Sequence, residues 1–200
     1  MPRLSKPLKD ALTQVDIPFT ENHIQCFLKY LDLLNDWNQR QNLTRITSPE
    51  SQIYGHIVDS LLAASFFTER DILDIGSGAG LPGIPLAIIK PTAQFVLLDA
   101  QQKRISFLRQ VCHELDLNNV SLVHQRIQDY HPIQKPELIT CRALTSIDNI
   151  ITWTQHLKTD SNRIIAYKTI QDIMPLDRKH QVIKLPEIPG YLESRCLIVI

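Results

Sequence analysis

The chain has 200 residues, 44% of them hydrophobic and 21% charged, ordinary values for one globular domain with a real core and a small extension. Its 21 Lys and Arg balance 21 Asp and Glu, so no net field draws it onto RNA or a membrane, and any nucleic-acid contact must come from a local basic patch. Cys26, Cys112, Cys141 and Cys196 are widely spaced with no C-x-x-C, and the seven histidines are scattered; that pattern argues against a zinc site and a disulfide framework, and no metal is expected.

The first residues, Met1-Pro2-Arg3-Leu4-Ser5-Lys6, carry no apolar stretch of the signal-peptide kind, and no run approaches membrane-span length, so a cytoplasmic location is expected. A short helix is predicted over Lys6–Thr13. A second is predicted from Thr20 to Asn38, where Ile24, Phe27, Leu28, Leu31 and Leu34 recur at spacings of three and four, with Thr20 as N-cap. A third is predicted over Gln52–Phe67, with Ile53, Ile57, Leu61 and Ala64 on one face and Ser48-Pro49 at its start. From Asp71 the pattern alternates. Strands are expected at Ile72–Ile75, Phe95–Leu98, Val120–Val123, Leu138–Cys141, Ile164–Lys168, Val182–Leu185 and Cys196–Ile200. Helices are expected after the glycine-rich turn, over Gln102–Leu115 and over Ile147–Leu157. Repeated β-α units imply a mostly parallel sheet covered on both faces. The short connection from Pro186 to Arg195 leaves no room for a crossover helix and predicts an antiparallel C-terminal hairpin. The fold class is therefore α/β, with residues 1–67 as a helical extension and 68–200 as the main domain.

Asp74-Ile75-Gly76-Ser77-Gly78-Ala79-Gly80 lies between the first strand and an apolar helix. Glycines at such a turn let backbone N–H groups approach a ligand. Gly78 to Gly83 fits G-x-G-x-x-G, a dinucleotide fingerprint, while Asp74 to Gly80 fits the D-x-G-x-G-x-G of S-adenosylmethionine enzymes. Pro82 and Pro85 crowd the helix start, where a pyrophosphate needs free N–H donors, and the antiparallel hairpin departs from the dinucleotide-binding sheet. Both features favour S-adenosylmethionine. Asp99, ending the second strand, is placed to accept hydrogen bonds from ribose hydroxyls; its alternative role is to cap the helix near Gln102.

The run from Asp74 to Leu86 resembles the signature of the RsmG (GidB) family, bacterial 16S rRNA 7-methylguanosine methyltransferases. Trp37-Asn38, Asn42-Leu43-Thr44, His56-Ile57-Val58-Asp59-Ser60, Lys103-Arg104-Ile105-Ser106-Phe107-Leu108, Arg126 and Cys141-Arg142-Ala143 resemble further motifs of that family in the same order. The resemblance implies a Rossmann-like class I S-adenosylmethionine-dependent methyltransferase fold. It implies methyl transfer to N7 of a guanine, position 527 in the 530 loop of 16S rRNA, on the small subunit or its assembly intermediate. It places cofactor contacts at Gly76, Leu81, Ile127, Gln128 and Arg142, to which Gly78 and Asp99 are added by the turn and ribose arguments. Two positions depart from the family: Thr169 follows Lys168 where glycine is usual, which would be strained at a positive φ, and Cys141 replaces a serine.

Guanine N7 carries a lone pair and no proton, so it needs no general base, and catalysis is expected to rest on positioning. Arg142 and Lys168, near the ends of strands four and five, are the positioning candidates. Lys103, Arg104, Arg109 and Arg126 are candidates for RNA phosphates; a solvated helix face is an equal reading for the first three. His56 and Asp59 are placed to meet the substrate or cap neighbouring loops, with packing the expected role; Trp37 and Tyr54 are candidates to stack on bases, with a place against the core expected. A monomer is expected. Two other readings stay open at this point: a nicotinamide-dependent oxidoreductase, and a ribosome-associated RNA-binding module without catalysis.

Overall fold

The computed structural model describes residues 2–173, 180–187 and 194–200. Helix α1 spans Pro2–Gln14 and α2 Glu21–Gln41. Thr20 caps α2 by accepting from the His23 N–H, while the His23 ring accepts from the Thr20 N–H, a capping box with histidine in the usual Glu or Gln place. Asn42 ends the helix in the left-handed region, its N–H returned to the Asn38 carbonyl. The predicted apolar stripe is buried, and Tyr30 joins it.

The third predicted helix is not one helix. It is α3 (Pro49–Gln52), a π-helical turn (Ile53–Val58), α4 (Asp59–Leu61) and a 3₁₀ turn (Ala64–Phe66). The π turn coincides with a long-range contact at Gly55. Its carbonyl accepts from Arg142 Nη1, and the Asp59 N–H bonds the Tyr54 carbonyl, five residues back, instead. Ser48 and Pro49 do start the segment as predicted.

The seven strands are β1 (Asp71–Ile75), β2 (Gln94–Asp99), β3 (Val120–His124), β4 (Leu138–Arg142), β5 (Arg163–Thr169), β6 (Gln181–Lys184) and β7 (Arg195–Val199). They form one sheet in the order β3-β2-β1-β4-β5-β7-β6. β1 to β5 are parallel to one another, and β7 is antiparallel to both β5 and β6. The antiparallel hairpin is thus present, with β7 inserted against β5 and β6 left at the edge. The loop predicted from Pro186 to Arg195 lies outside the described residues over 188–193.

Helices α5 (Gly83–Ile89), α6 (Gln102–Glu114) and α7 (Ile147–Thr154) complete the α/β pattern. Alternate residues of each strand supply opposite faces. Ile72, Phe95, Leu97 and Leu197 belong to one apolar cluster with Leu8, Phe27, Leu31, Ile57, Leu86 and Phe107. Leu73, Leu98, Ile139 and Ile198 belong to the other, with Ile147 and Ile150. The helices of residues 2–67 therefore share a single continuous core with one sheet face. The connections run outward from β1 in one direction and from β4 in the other, so the crevice between β1 and β4 is where such a sheet takes a ligand. No helix among the described residues is long and apolar enough to cross a membrane.

Candidate functional site

The C-terminal ends of the parallel strands bring the glycine turn, Asp99, Ile127, Arg142 and Lys168 to one edge. Gly76, Gly78 and Gly80 all have positive φ, at 67°, 58° and 88°. A Cβ on Gly76 would stand 2.4 Å from Leu144 Cδ1, and one on Gly80 2.5 Å from Ile84. A Cβ on Gly78 would meet only the Gly76 carbonyl, at 3.8 Å. Two glycines thus let the turn pack against the protein, while Gly78 leaves the outer side open. Gly76→Ala is expected to cost about 1–2 kcal/mol of stability from the backbone alone, and more once Leu144 is displaced. Urea unfolding with calorimetric cofactor titration would check it, and unchanged values in both would remove the constraint.

Two carboxylates flank the turn. Asp99, 2% exposed, accepts from the Gly78 N–H at 2.9 Å, the Gln101 N–H at 2.8 Å and Arg104 Nη1 at 3.1 Å. It therefore holds the glycine turn and the entry to α6 together, so the capping role is real and sits beside the expected ribose role. Asp74 is fully buried beneath the turn. One of its oxygens accepts from the Gly83 N–H, a contact that depends on glycine because a Cβ there would stand 2.7 Å from that oxygen. The other oxygen has no hydrogen-bond partner among the described residues. The Asp99 carboxylate would repel a pyrophosphate, and the Gly78 N–H is already taken. An acid at this edge fits a cationic ligand such as a sulfonium and its ammonium group. Tyr30, from α2, braces the same turn by donating to the Ala79 carbonyl at 2.8 Å.

Leu81 is buried within the turn, and Ile127 is buried at the start of the short helical turn after β3, with Gln128 exposed beside it. Arg142 ends β4, and its guanidinium turns toward the π segment. Nη1 donates to the Gly55 carbonyl at 2.9 Å and to Asp59 Oδ2 at 2.5 Å, and Nη2 approaches His56 Nδ1 at 3.5 Å. Arg195, on β7, places Nε 2.9 Å from Asp59 Oδ1, a charge contact outside hydrogen-bond alignment. Because Arg142 can only donate, His56 Nδ1 accepts, and Nε2–H is left to donate to Thr44 Oγ1 at 3.2 Å. His56 and Asp59, expected to serve packing, thus form a buried polar network with Arg142. Arg195 is a member that carried no recognisable signal in the sequence.

Lys168 donates to the Thr145 carbonyl. Thr169 is the last residue of β5, paired with Arg195, and does not have positive φ, so threonine is not strained there. Cys141 is buried in β4, and burial pushes its thiol up to about 12. The four basic candidates separate. Lys103 donates to the Gln41 carbonyl at 3.1 Å, Arg104 pairs with Asp99, and Arg109 is exposed about 120° round α6 from Lys103. Arg126 is exposed after β3.

Burial raises the Asp74 carboxyl to about 7, against the opposing hydrogen bond from Gly83. Burial, with the Arg142 guanidinium second, lowers His56 to about 4. Between the usual carboxylate value and about 7 the folded chain keeps a proton on Asp74 that the unfolded chain has lost, so this group makes stability fall as pH rises. Between about 4 and the usual histidine value the unfolded chain binds the extra proton, so His56 makes stability rise with pH. The two slopes oppose each other over most of that window. Asp74→Asn is expected to remove the falling slope and leave a net rise between about pH 4 and 6.5. Urea unfolding across that range would check it; a profile matching wild type would count against a raised Asp74.

The family described as rRNA small subunit methyltransferase G (GidB) matches residues 23–188. A protein of Idiomarina loihiensis named ribosomal RNA small subunit methyltransferase G is 36% identical, over 98% of each chain. One of the same name from Haemophilus influenzae is 37% identical, over 96% of this chain and 98% of its own. Among solved structures, magnesium protoporphyrin IX methyltransferase from Synechocystis, with bound S-adenosylmethionine, superposes with a TM-score of 0.55 at 16% identity, over 85% of this chain and 96% of that one. A SAM-dependent methyltransferase from Aquifex aeolicus gives 0.56 at 14% identity, over 75% and 93%. These two share the fold, that of class I methyltransferases, and the near full-length relatives settle the rest: this chain belongs to the rRNA small subunit methyltransferase G family.

Proposed function

We propose that this protein transfers the methyl group of S-adenosylmethionine to N7 of a guanine of 16S rRNA, position 527 in the 530 loop. The observation that carries the reading is the gathering of the family's motif residues at one sheet edge: the glycine turn, Asp99, Arg142, His56 and Asp59. S-Adenosylmethionine supplies an electrophilic methyl group on a sulfonium. Gly76, Gly78 and Leu81 form its backbone cradle. Asp99 accepts from the ribose, and Ile127 and Gln128 offer an apolar surface with a polar end. Arg142 has five N–H donors, and three are committed to Gly55, Asp59 and His56. The remaining two serve the cofactor or the base. Lys168 stands one strand further along the same edge.

The acceptor has no proton to lose, and the site offers no free base. His56 is 2% exposed with both ring nitrogens engaged. Rate enhancement then comes from alignment of the two reactants, which fits a rigid, cross-braced edge. N7 lies in the deep groove of an A-form duplex, so the target guanine is unpaired or flipped out. Residues 1–67 act as the roof of the cleft and 68–200 as its floor, and the enzyme works as a monomer in the cytoplasm on the small subunit or its assembly intermediate.

Labelled cofactor with small-subunit rRNA lacking the modification tests the reading. One methyl per rRNA, at N7 of that guanine, is the expected outcome; label at another base, or intact cofactor binding without transfer, would overturn it. Running naked rRNA, assembly intermediate and finished subunit side by side identifies the substrate form.

A further inference from the structure

We propose that the groove between α2 and α6 is a docking site for a single-stranded segment of the substrate RNA next to the target base; this rests on the rRNA reading above. The groove has a volume of about 410 Å³ and is lined by Leu33, Asp36, Trp37, Arg40, Gln41 and Gln110, the scale of pockets that hold small planar ligands. Trp37 is fixed within it. Its Nε1–H donates to Gln110 Oε1 at 2.8 Å, and its ring meets Phe107 edge-on, at 5.8 Å between centroids and 61° between planes. With the N–H committed to Gln110, what Trp37 has left to offer a ligand in the groove is the π surface of its indole, on which unpaired bases stack.

The cations at the groove suit an RNA backbone, with the Asp36 carboxylate as the opposing charge in the lining. Lys103 sits where α6 leaves the sheet edge, four residues beyond Asp99, and its ammonium group reaches the last carbonyl of α2. That contact uses one of its three donors. Arg40, the exposed penultimate residue of α2, and Lys103 have no ion-pair partner among the described residues. The neighbouring cations Arg104 and Arg142 are paired with Asp99 and Asp59. A phosphate spanning Arg40 and Lys103 would place the next base over Trp37, on a path that leads along α6 to Asp99 and the glycine turn. An apolar protein segment would instead bury Arg40 and Asp36 without partners, which is costly.

The chain has two tryptophans, so Trp153→Phe leaves Trp37 as the sole indole reporter. Titrating that variant with a twelve-nucleotide single-stranded RNA carrying the sequence around the target guanine is expected to quench its emission. Adding Arg40→Gln and Lys103→Gln should weaken RNA binding about tenfold and lower the salt slope by about 1.4, the value for two phosphate contacts on a single strand. S-Adenosylmethionine affinity should stay within twofold, which also reports an intact fold. Trp37→Leu should weaken RNA binding with the salt slope retained. Unchanged emission, an unchanged salt slope in the double variant, or a change of oligomeric state instead of RNA affinity would overturn the proposal. The binding readout needs no methyl transfer, so an enzyme inactive on rRNA would refute the functional reading while leaving a quench to be seen or not.

Discussion

Asp59→Ala is expected to unfold this protein more readily than any other single change at the site. Asp59 is 1% exposed and stands between two guanidinium groups, Arg142 at 2.5 Å and Arg195 at 2.9 Å. Their side chains are only 14% and 20% exposed. Removing the carboxylate leaves two like charges facing each other with little water to separate them. Breaking a buried ion pair from one side costs about 3–5 kcal/mol. For a chain of this length, each kcal/mol lowers the melting temperature by about 2–4 °C. A drop of roughly 6–20 °C should therefore be seen by calorimetry or circular dichroism. Asp59→Asn keeps an acceptor for Arg142 and should fall between the two. A loss below about 1 kcal/mol for the alanine variant, the surface-pair scale, would show that the network is solvated and does not tie the segment around Asp59 to the sheet.

Asp99→Ala carries the largest expected effect on ligand binding. The carboxylate ends three N–H bonds, from Gly78, Gln101 and Arg104, and is the only acid at the end of β2. Its loss frees the outer face of the glycine turn and removes the ribose acceptor. Leaving such groups unpaired costs about 1–3 kcal/mol, so cofactor affinity should fall about fivefold to 150-fold. Arg104→Ala gives the contrast. Arg104 competes with any incoming hydroxyl for the same oxygen, so its removal is expected not to weaken cofactor binding. Calorimetric titration of both variants decides: equal losses would mean that Arg104 also holds the ligand, and no loss for Asp99→Ala would take that residue out of the site.

Much of this architecture was legible in the linear chain, for physical reasons that differ from element to element. The strands stand out because those buried on both faces are continuous apolar runs, as in Phe95-Val96-Leu97-Leu98. The glycine turn stands out because Gly76, Gly78 and Gly80 occupy backbone conformations that side chains avoid. The π turn was not legible: Ile53, Ile57 and Leu61 keep a helical spacing, and the turn is matched to Arg142, 87 residues away, which donates to the Gly55 carbonyl. Spacing arguments contain no information about such a contact. The same holds for Arg195, whose partner Asp59 lies far back in the chain. Lys103, Arg104 and Arg109 share one helix and looked alike in composition, yet helical rotation sends them to three different surroundings. Tyr30 lies on the apolar side of α2, where its hydroxyl has no obvious purpose until the Ala79 carbonyl is found above it.

The position of β7 has a consequence for the birth of the protein. It follows all the other described strands in the chain, but it pairs on both sides, with β5 and β6, and it carries Arg195 to Asp59. During synthesis the helices of residues 2–67 and strands β1 to β5 emerge first and can collapse on their local contacts. Until β7 arrives, β5 has an open hydrogen-bonding edge, and Asp59 lacks one of its two counter-ions. The late strand closes that edge and brings that acid its second cation in one step, so the last-made part of the sheet is also the part that ties down the first-made helices.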